Sequence, residues 1–370
     1  MGCVDGEGLE MMKEDRMRVL MIGPDRSVHG GISGVINNYF DAGLDRMIEL
    51  CYIGTMVEGT KFTKLLQAVK AYFRFLVKLP KYDIVHVNMA SDSSYYRKSV
   101  FIRTAKACHK KVVIHQHGGN FQEFYGKELS GRGRRSVQKV LSMGDAFLVL
   151  GTAWRDFFGT IIEKDRITVL PNALSIPKRE EKRYGAHKIL YMGRLCKTKG
   201  IGELLTVMPR IRDRYPDVRL YLAGIWEDGE LREQAASLKE YVTDLGWIGG
   251  EEKQRYLKEC DIFVLPSYFE GQPVSVLEAM AYACGIVTTR TGSIPDMITE
   301  NETGLFAESK DTKTLEESLA KLLEEPELTR RLGENARRKV EAEFSIDNNL
   351  KQLFSVYETL GCKEPHYEKR

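Results

Sequence analysis

The sequence contains no C-x-x-C pair, no apolar run near the ~20 residues that span a bilayer, and no apolar core of a signal peptide. Its seven cysteines (Cys3, Cys51, Cys108, Cys196, Cys260, Cys284 and Cys362) are scattered and odd in number. These absences argue against a disulfide framework, a structural zinc site and a transmembrane helix, and a soluble cytoplasmic protein is expected. No low-complexity tract or short-period repeat occurs, so solenoid and fibrous architectures are excluded.

What is present is an ordinary globular composition: 370 residues, 43% hydrophobic, 29% charged and 9% aromatic. At ~150 residues per domain, two or three domains are expected. The net charge of +3 is unevenly distributed, because residues 61–140 sum to +13 and the flanking stretches to −5 each. Such a basic segment implies an anionic partner: nucleic acid, an acidic membrane surface or a phosphate-bearing substrate.

Residues 1–16 are Gly- and acid-rich without apolar periodicity and read as a frayed tail. Met1-Gly2-Cys3 is a poor acylation signal, because position 6 is Gly rather than Ser or Thr. From Met17, two sets of six short apolar runs, Arg18–Leu170 and Lys188–Phe306, alternate with longer amphipathic segments. Near-continuous apolar runs are what strands of a parallel sheet covered on both faces look like. The fold class is therefore α/β, with two doubly wound domains over 17–171 and 172–345. Thr312–Leu323, Pro326–Glu343 and Ile346–Leu360 read as helices without strands between them. The last, within 346–370, could pack on the second domain or cross back to the first.

Four clusters sit at strand ends, where doubly wound sheets hold ligands. Gly30-Gly31-Ile32-Ser33-Gly34 precedes a predicted helix Val35–Phe40, so its backbone could approach a phosphate, although a plain turn fits equally well. No acidic residue caps the next strand, Leu50–Ile53, which weakens a dinucleotide reading. His115-Gln116-His117-Gly118 ends the fourth run, with both imidazoles on one face, either facing a ligand or buried and hydrogen-bonded. Gly193 to Gly200 carries Arg194 and Lys199 on a glycine-flanked loop suited to a diphosphate, the alternative being a solvated basic loop. Pro266 to Ala281 carries Glu270 and Glu278 across a loop-to-helix junction, where two carboxylates can each accept from paired sugar hydroxyls. Backbone N–H groups around Gly271, Gln272, Pro273, Val274 and Ser275 can meanwhile hold phosphate.

Taken together, these residues resemble the GT-B glycosyltransferases of the large retaining family 4, from Met17 to about Leu360. The carriers are Gly30-Gly31, His117-Gly118, Val169-Leu170-Pro171-Asn172, Arg194 with Lys199-Gly200, Glu270-x7-Glu278 and Gly292-Ser293-Ile294-Pro295. The resemblance implies two Rossmann-like domains facing across a cleft, with a nucleotide-sugar bound mainly to the second. It also implies that Arg194 and Lys199 hold the donor diphosphate, Glu278 the ribose and Glu270 the transferred sugar, with His117 near that sugar. The implied reaction retains the anomeric configuration and needs no cofactor beyond the nucleotide-sugar co-substrate. The chain has no D-x-D, which fits a metal-independent reaction. One departure is Gly224 to Gly229, longer than the family's usual turn and carrying Trp226, which leaves the base open.

The implied function is transfer of a hexose-type sugar to a glycan or a lipid-linked phosphate-bearing acceptor, in surface polysaccharide synthesis. The competing readings are a catalytically silent glycan- or partner-binding subunit, a sugar-nucleotide epimerase and a dinucleotide oxidoreductase. No nucleic-acid module is evident. Within the basic segment, Lys61–Lys81 has six basic residues and no acid. Drawn as a helix, it sets Phe62, Leu65, Leu66, Val69, Phe73 and Leu76 on one face, and Phe75 is stranded among Lys64, Lys70, Arg74 and Lys78. This face would either pack on the first sheet or lie on an anionic membrane, at the inner face of the cell membrane. Tyr95, Arg97 and Lys98 follow the third strand and are expected to face an acceptor phosphate.

Overall fold

A computed structural model describes residues 17–361. The tail over 1–16, with its Met1-Gly2-Cys3 start, and the end of the 346–370 segment lie outside the described residues. The chain divides into two compact units, one running to Ser175 and resuming at Ile346, the other Ile176–Ser345.

The first unit is built on six strands: β1 (Arg18–Gly23), β2 (Glu49–Gly54), β3 (Ile84–Met89), β4 (Lys111–Gln116), β5 (Ala146–Val149) and β6 (Ile167–Val169). They form one sheet in the order β2-β1-β3-β4-β5-β6, every pair parallel. All six residues of β3 are buried, as a central strand covered on both faces requires. The second unit repeats the plan with β7 (Lys188–Met192), β8 (Arg219–Ala223), β9 (Val242–Gly246), β10 (Ile262–Leu265), β11 (Gly285–Thr289) and β12 (Leu305–Ala307). Their order is β12-β11-β10-β7-β8-β9, again parallel. In each sheet the chain reverses direction beside its first strand, between β1 and β3 and between β7 and β10. A crevice opens at the carboxyl ends of such a strand pair.

The last helix, Ile346–Thr359, belongs to the first unit. Its buried Leu350, Leu353 and Phe354 supply the apolar face, and polar latches set the partner. Ile346 N donates to Leu174 O at 3.0 Å, Tyr39 Oη donates to Asn349 Oδ1 at 2.8 Å, and Asn349 Nδ2 donates to Pro171 O at 2.5 Å.

Three local expectations are corrected. The first helix starts at Gly31, not Val35, so Gly31 and Gly34 are helical rather than loop, and Gly30 is its extended cap. Each interior glycine costs such a helix up to about 1 kcal/mol relative to Ala, which packing of Val35, Ile36 and Tyr39 offsets. The ninth strand lies at Val242–Gly246 rather than Asp244–Ile248, because at a sheet edge apolar content is a poor guide to register. Lastly, Phe75 is not stranded. With Ala71 it is the inner face of the helix Lys61–Lys78, its ring 5.0 Å from that of Phe101 and stacked with Tyr72 at 6.2 Å. The six-residue stripe points the other way, into solvent.

Candidate functional site

In the second unit, the loops leaving β7 and β10 lie side by side at the reversal point. Tyr268 N donates to Thr198 O at 2.9 Å, and Lys199 Nζ donates to Phe269 O at 3.3 Å. Lys199 also pairs with Glu270 Oε1 at 2.5 Å, both side chains largely shielded from water. Two residues read from separate motifs therefore form one ion pair. A Cβ at Gly200 would fall 2.1 Å from Pro266 O, and Gly200 has φ +72°, so only glycine permits this approach. The hydroxyl of Tyr268 donates to Glu203, anchoring the β10 loop to the helix Ile201–Arg214. Tyr191 is buried beside Glu270, and burial followed by that negative charge pushes its phenol well above the usual range.

Glu278 stands half-buried on the helix Val274–Ala281, next to the same loop. Its Oε1 accepts from Lys253 Nζ at 2.6 Å, a partner contributed by the helix Gly250–Glu259. Lys253 lies on a polar helix, Gly250–Glu259, that carries no recognised motif, so nothing in the sequence singled it out. Arg194 is exposed and its Nη1 reaches Glu227 Oε2 at 3.2 Å. Glu227 belongs to the long turn after β8, which runs alongside the β7 loop: Leu195 N donates to Ile225 O at 2.9 Å and Glu227 N to Leu195 O at 3.0 Å. The indole of Trp226 turns away to donate to Asp244 Oδ2 at 2.8 Å. Each of the four predicted charged groups thus meets an opposite charge, in three ion pairs that a charged ligand could enter by exchange.

Of the predicted backbone cradle, Gly271, Gln272 and Pro273 are buried, while Val274 and Ser275 are half-buried in the first helical turn. Gly292 supports this loop from behind. It has φ +57°, and a Cβ there would lie 1.9 Å from Glu270 O. Gly292→Ala is therefore expected to displace the Glu270 loop and to cost about 1–3 kcal/mol in denaturant unfolding. An unchanged unfolding midpoint would show that the loop yields without strain.

The first unit holds the remaining predicted residues. His117 follows β4, and its Nε2 lies 2.9 Å from Asn88 Oδ1. The Asn88 amide is oriented by Nδ2 donating to Ile22 O at 3.3 Å, so Oδ1 accepts and His117 Nε2 carries the proton. His117 Nδ1 is then a bare lone pair, buried without a hydrogen-bond partner. Behind it the rings of His115 and His117 lie 4.0 Å apart, His86 Nε2 is 3.3 Å from His115 Nδ1, and His86 Nδ1 is 2.5 Å from Tyr357 Oη. Burial pushes His86 and His117 down to about 3, so this row of imidazoles is neutral at pH 7.

Gly30 and Gly31 stand at the start of the first helix, where a Cβ would meet nothing within 4 Å. Packing does not demand glycine there. Tyr95 and Lys98 are buried instead of facing outward, and Lys98 Nζ donates to Thr55 Oγ1. The helix Asp92–Ala107 begins early enough to put both on its inner face, and burial pulls the Lys98 ammonium well below its usual range. Arg97, half-buried between them, keeps Nε without a partner.

Residues 174–339 match the family model described as glycosyl transferases group 1. Amylovoran biosynthesis glycosyltransferase AmsK of Erwinia amylovora is 26% identical over 282 residues, covering 70% of this chain and 67% of that protein. The chain spans about half the length of other curated relatives that it matches, 44% of one and 52% of another. Sucrose-phosphate synthase from Thermosynechococcus elongatus superposes with a TM-score of 0.76 at 18% identity, over 94% of this chain and 99% of the other. HepE of Anabaena, solved in complex with UDP-glucose, gives a TM-score of 0.74 at 15% identity, over 93% and 100%. Residues 174–339 thus resemble the glycosyl transferases group 1 family, and the chain has the GT-B fold of these structures.

Proposed function

We propose that this chain is a retaining, metal-independent glycosyltransferase of family 4. It moves a hexose-type sugar from a nucleoside-diphosphate sugar to a hydroxyl of a glycan or lipid-linked, phosphate-bearing acceptor, in surface polysaccharide synthesis. The observation that carries this reading is the union of Arg194, Lys199 and Glu270 on the loops at the β7–β10 reversal. The UDP-glucose complex of HepE and the amylovoran role named for AmsK support the donor class and the setting.

The chemistry follows from the charges. The bond between the anomeric carbon and the diphosphate oxygen breaks, and its electron pair leaves with the diphosphate. Arg194 and Lys199 stabilise that charge, exchanging Glu227 and Glu270 for phosphate oxygens. Glu270, released from part of its pairing, accepts from the sugar's hydroxyls, and Glu278 from the ribose. The acceptor oxygen attacks the same face, and its proton passes to the departing phosphate, so no protein nucleophile is needed. The bare Nδ1 of neutral His117 is fitted to accept from a sugar hydroxyl.

A thermal-shift screen of nucleoside diphosphates and their sugars is the first test, because a donor that binds only the folded chain stabilises it by mass action. With the preferred nucleotide known, calorimetry separates the glutamates. Glu278→Ala is expected to weaken binding of the free nucleoside diphosphate about tenfold, the loss of a charge-assisted hydrogen bond of ~1.5 kcal/mol. Glu270→Ala should spare that binding and impair transfer. The opposite pattern would exchange their roles.

A further inference from the structure

The helix Lys61–Lys78 carries the largest apolar area that the described chain leaves in water. Phe62 is 74% exposed and Phe73 65%, and Leu65, Leu66, Val69 and Leu76 are exposed beside them. At 100° per residue these six side chains fall within about 120° of one another. The opposite side carries Ala71 and Phe75, with Phe75 at 0% exposure in the Tyr72–Phe101 cluster. Gln67 Nε2 ties the helix to Gly54 O, at the carboxyl end of β2, at 2.7 Å. Thr60 Oγ1 caps its start by accepting from Thr63 N at 3.2 Å. The helix is therefore anchored by a narrow seam, and its broad apolar face has no partner among the described residues.

The cations identify the occupant. Lys61 and Lys70 border the stripe on either side, Arg74 lies beyond Lys70, Lys64 and Lys78 sit on the far side of the helix, and no acid occurs from residue 61 to residue 82. Two copies meeting through this face would bring uncompensated cations together. Nucleic acid would match the charge but leave six large apolar side chains in water. An anionic bilayer satisfies both, with rings and aliphatic side chains at the acyl boundary and lysines among the headgroups. Among the described residues no helix is long and apolar enough to cross a membrane, so the contact is interfacial.

We infer that the helix Lys61–Lys78 docks the first unit on the surface of an anionic lipid bilayer, its apolar stripe lying in the headgroup–acyl boundary. The contact places the carboxyl ends of the first sheet, to which Gln67 ties the helix, close to lipid. It goes beyond the proposed transfer reaction, and its test needs no sugar.

The test is sedimentation of the full chain with vesicles of equal parts phosphatidylglycerol and phosphatidylcholine, and with phosphatidylcholine alone. Binding is expected to the anionic vesicles, at least tenfold weaker to the neutral ones, and reduced in 1 M salt. Lys70→Glu with Arg74→Glu should weaken it about 25-fold or more, at roughly fivefold per charge. Leu66→Ser with Phe73→Ser should also weaken it at least tenfold. All four side chains are exposed, so circular dichroism and the thermal midpoint should stay as in wild type and show intact folding. A wild-type chain that stays in the supernatant with both vesicles would overturn the inference, as would variants that bind like wild type. A dimer in light scattering that dissociates in the Leu66→Ser, Phe73→Ser variant, without vesicle binding, would assign the face to a second copy instead.

Discussion

Lys199→Ala is expected to lower kcat/KM for sugar transfer by about 30- to 1,000-fold, equivalent to 2–4 kcal/mol of transition-state stabilisation. The estimate rests on where the ammonium sits. It is largely shielded from water, 2.5 Å from Glu270, and on the loop that meets the β10 exit. A cation so shielded acts on a leaving diphosphate with little intervening solvent, unlike an exposed lysine whose field water screens. Removing it also leaves Glu270 as an uncompensated charge, so some loss of stability accompanies the loss of rate. The two are separated by comparison with Glu270→Ala, which relieves the same pairing from the other side but leaves the cation for the phosphate. Arg194→Ala is expected in the same range of rate loss with no stability cost, since its Glu227 contact is exposed. The measurement is release of nucleoside diphosphate from the sugar nucleotide picked out by the thermal-shift screen, with folding checked by circular dichroism. Turnover at the wild-type rate by folded Lys199→Ala would remove the lysine from the reaction.

Acid should unfold the first unit before the second. Its row of imidazoles is buried and neutral, and burial holds His86 and His117 down near 3, with His115 shifted the same way. In the unfolded chain the same groups take protons near pH 6.5. The unfolded state therefore binds more protons below that pH, and stability present above about 6.5 is lost progressively as pH falls toward 3. At pH 4.5 the loss is about 3 kcal/mol for each of His86 and His117, at 1.36 kcal/mol per unit over two units. This is a large share of a typical domain's stability. Trp154 reports on the first unit once Trp226 and Trp247 are replaced by Phe, and urea unfolding of that variant should show its midpoint falling steeply from pH 7 to 4.5. A midpoint flat across that range would mean that water or a rearranged packing lets these rings charge in the folded state.

The sequence by itself determined the architecture and singled out which charged residues are candidates for the site. Runs of β-prone apolar residues separated by amphipathic stretches can bury both faces of a sheet only as parallel strands under helices, and that pattern is written in nearest-neighbour chemistry. Arg194, Lys199, Glu270 and Glu278 were legible for a similar reason: charged groups beside glycines at predicted strand ends have few structural uses. Only the tertiary structure decided which groups meet. Lys199 and Glu270 are neighbours because β10 lies next to β7, a pairing across 71 residues of chain that no local spacing encodes. Lys253 and Glu227 reach the site from helix and turn positions whose sequences look like ordinary solvated surface. The same limit explains Phe75, Tyr95 and Lys98. Periodicity states which residues share a helical face, but the direction of that face depends on what the rest of the chain offers. A single ring fitting between Tyr72 and Phe101 kept Phe75 inside and left seven apolar neighbours on the same helix in water. Likewise an amphipathic helix at 346–359 carries no label for its partner, and the Tyr39–Asn349 and Asn349–Pro171 hydrogen bonds, made only once the chain has turned back, assign it to the first unit.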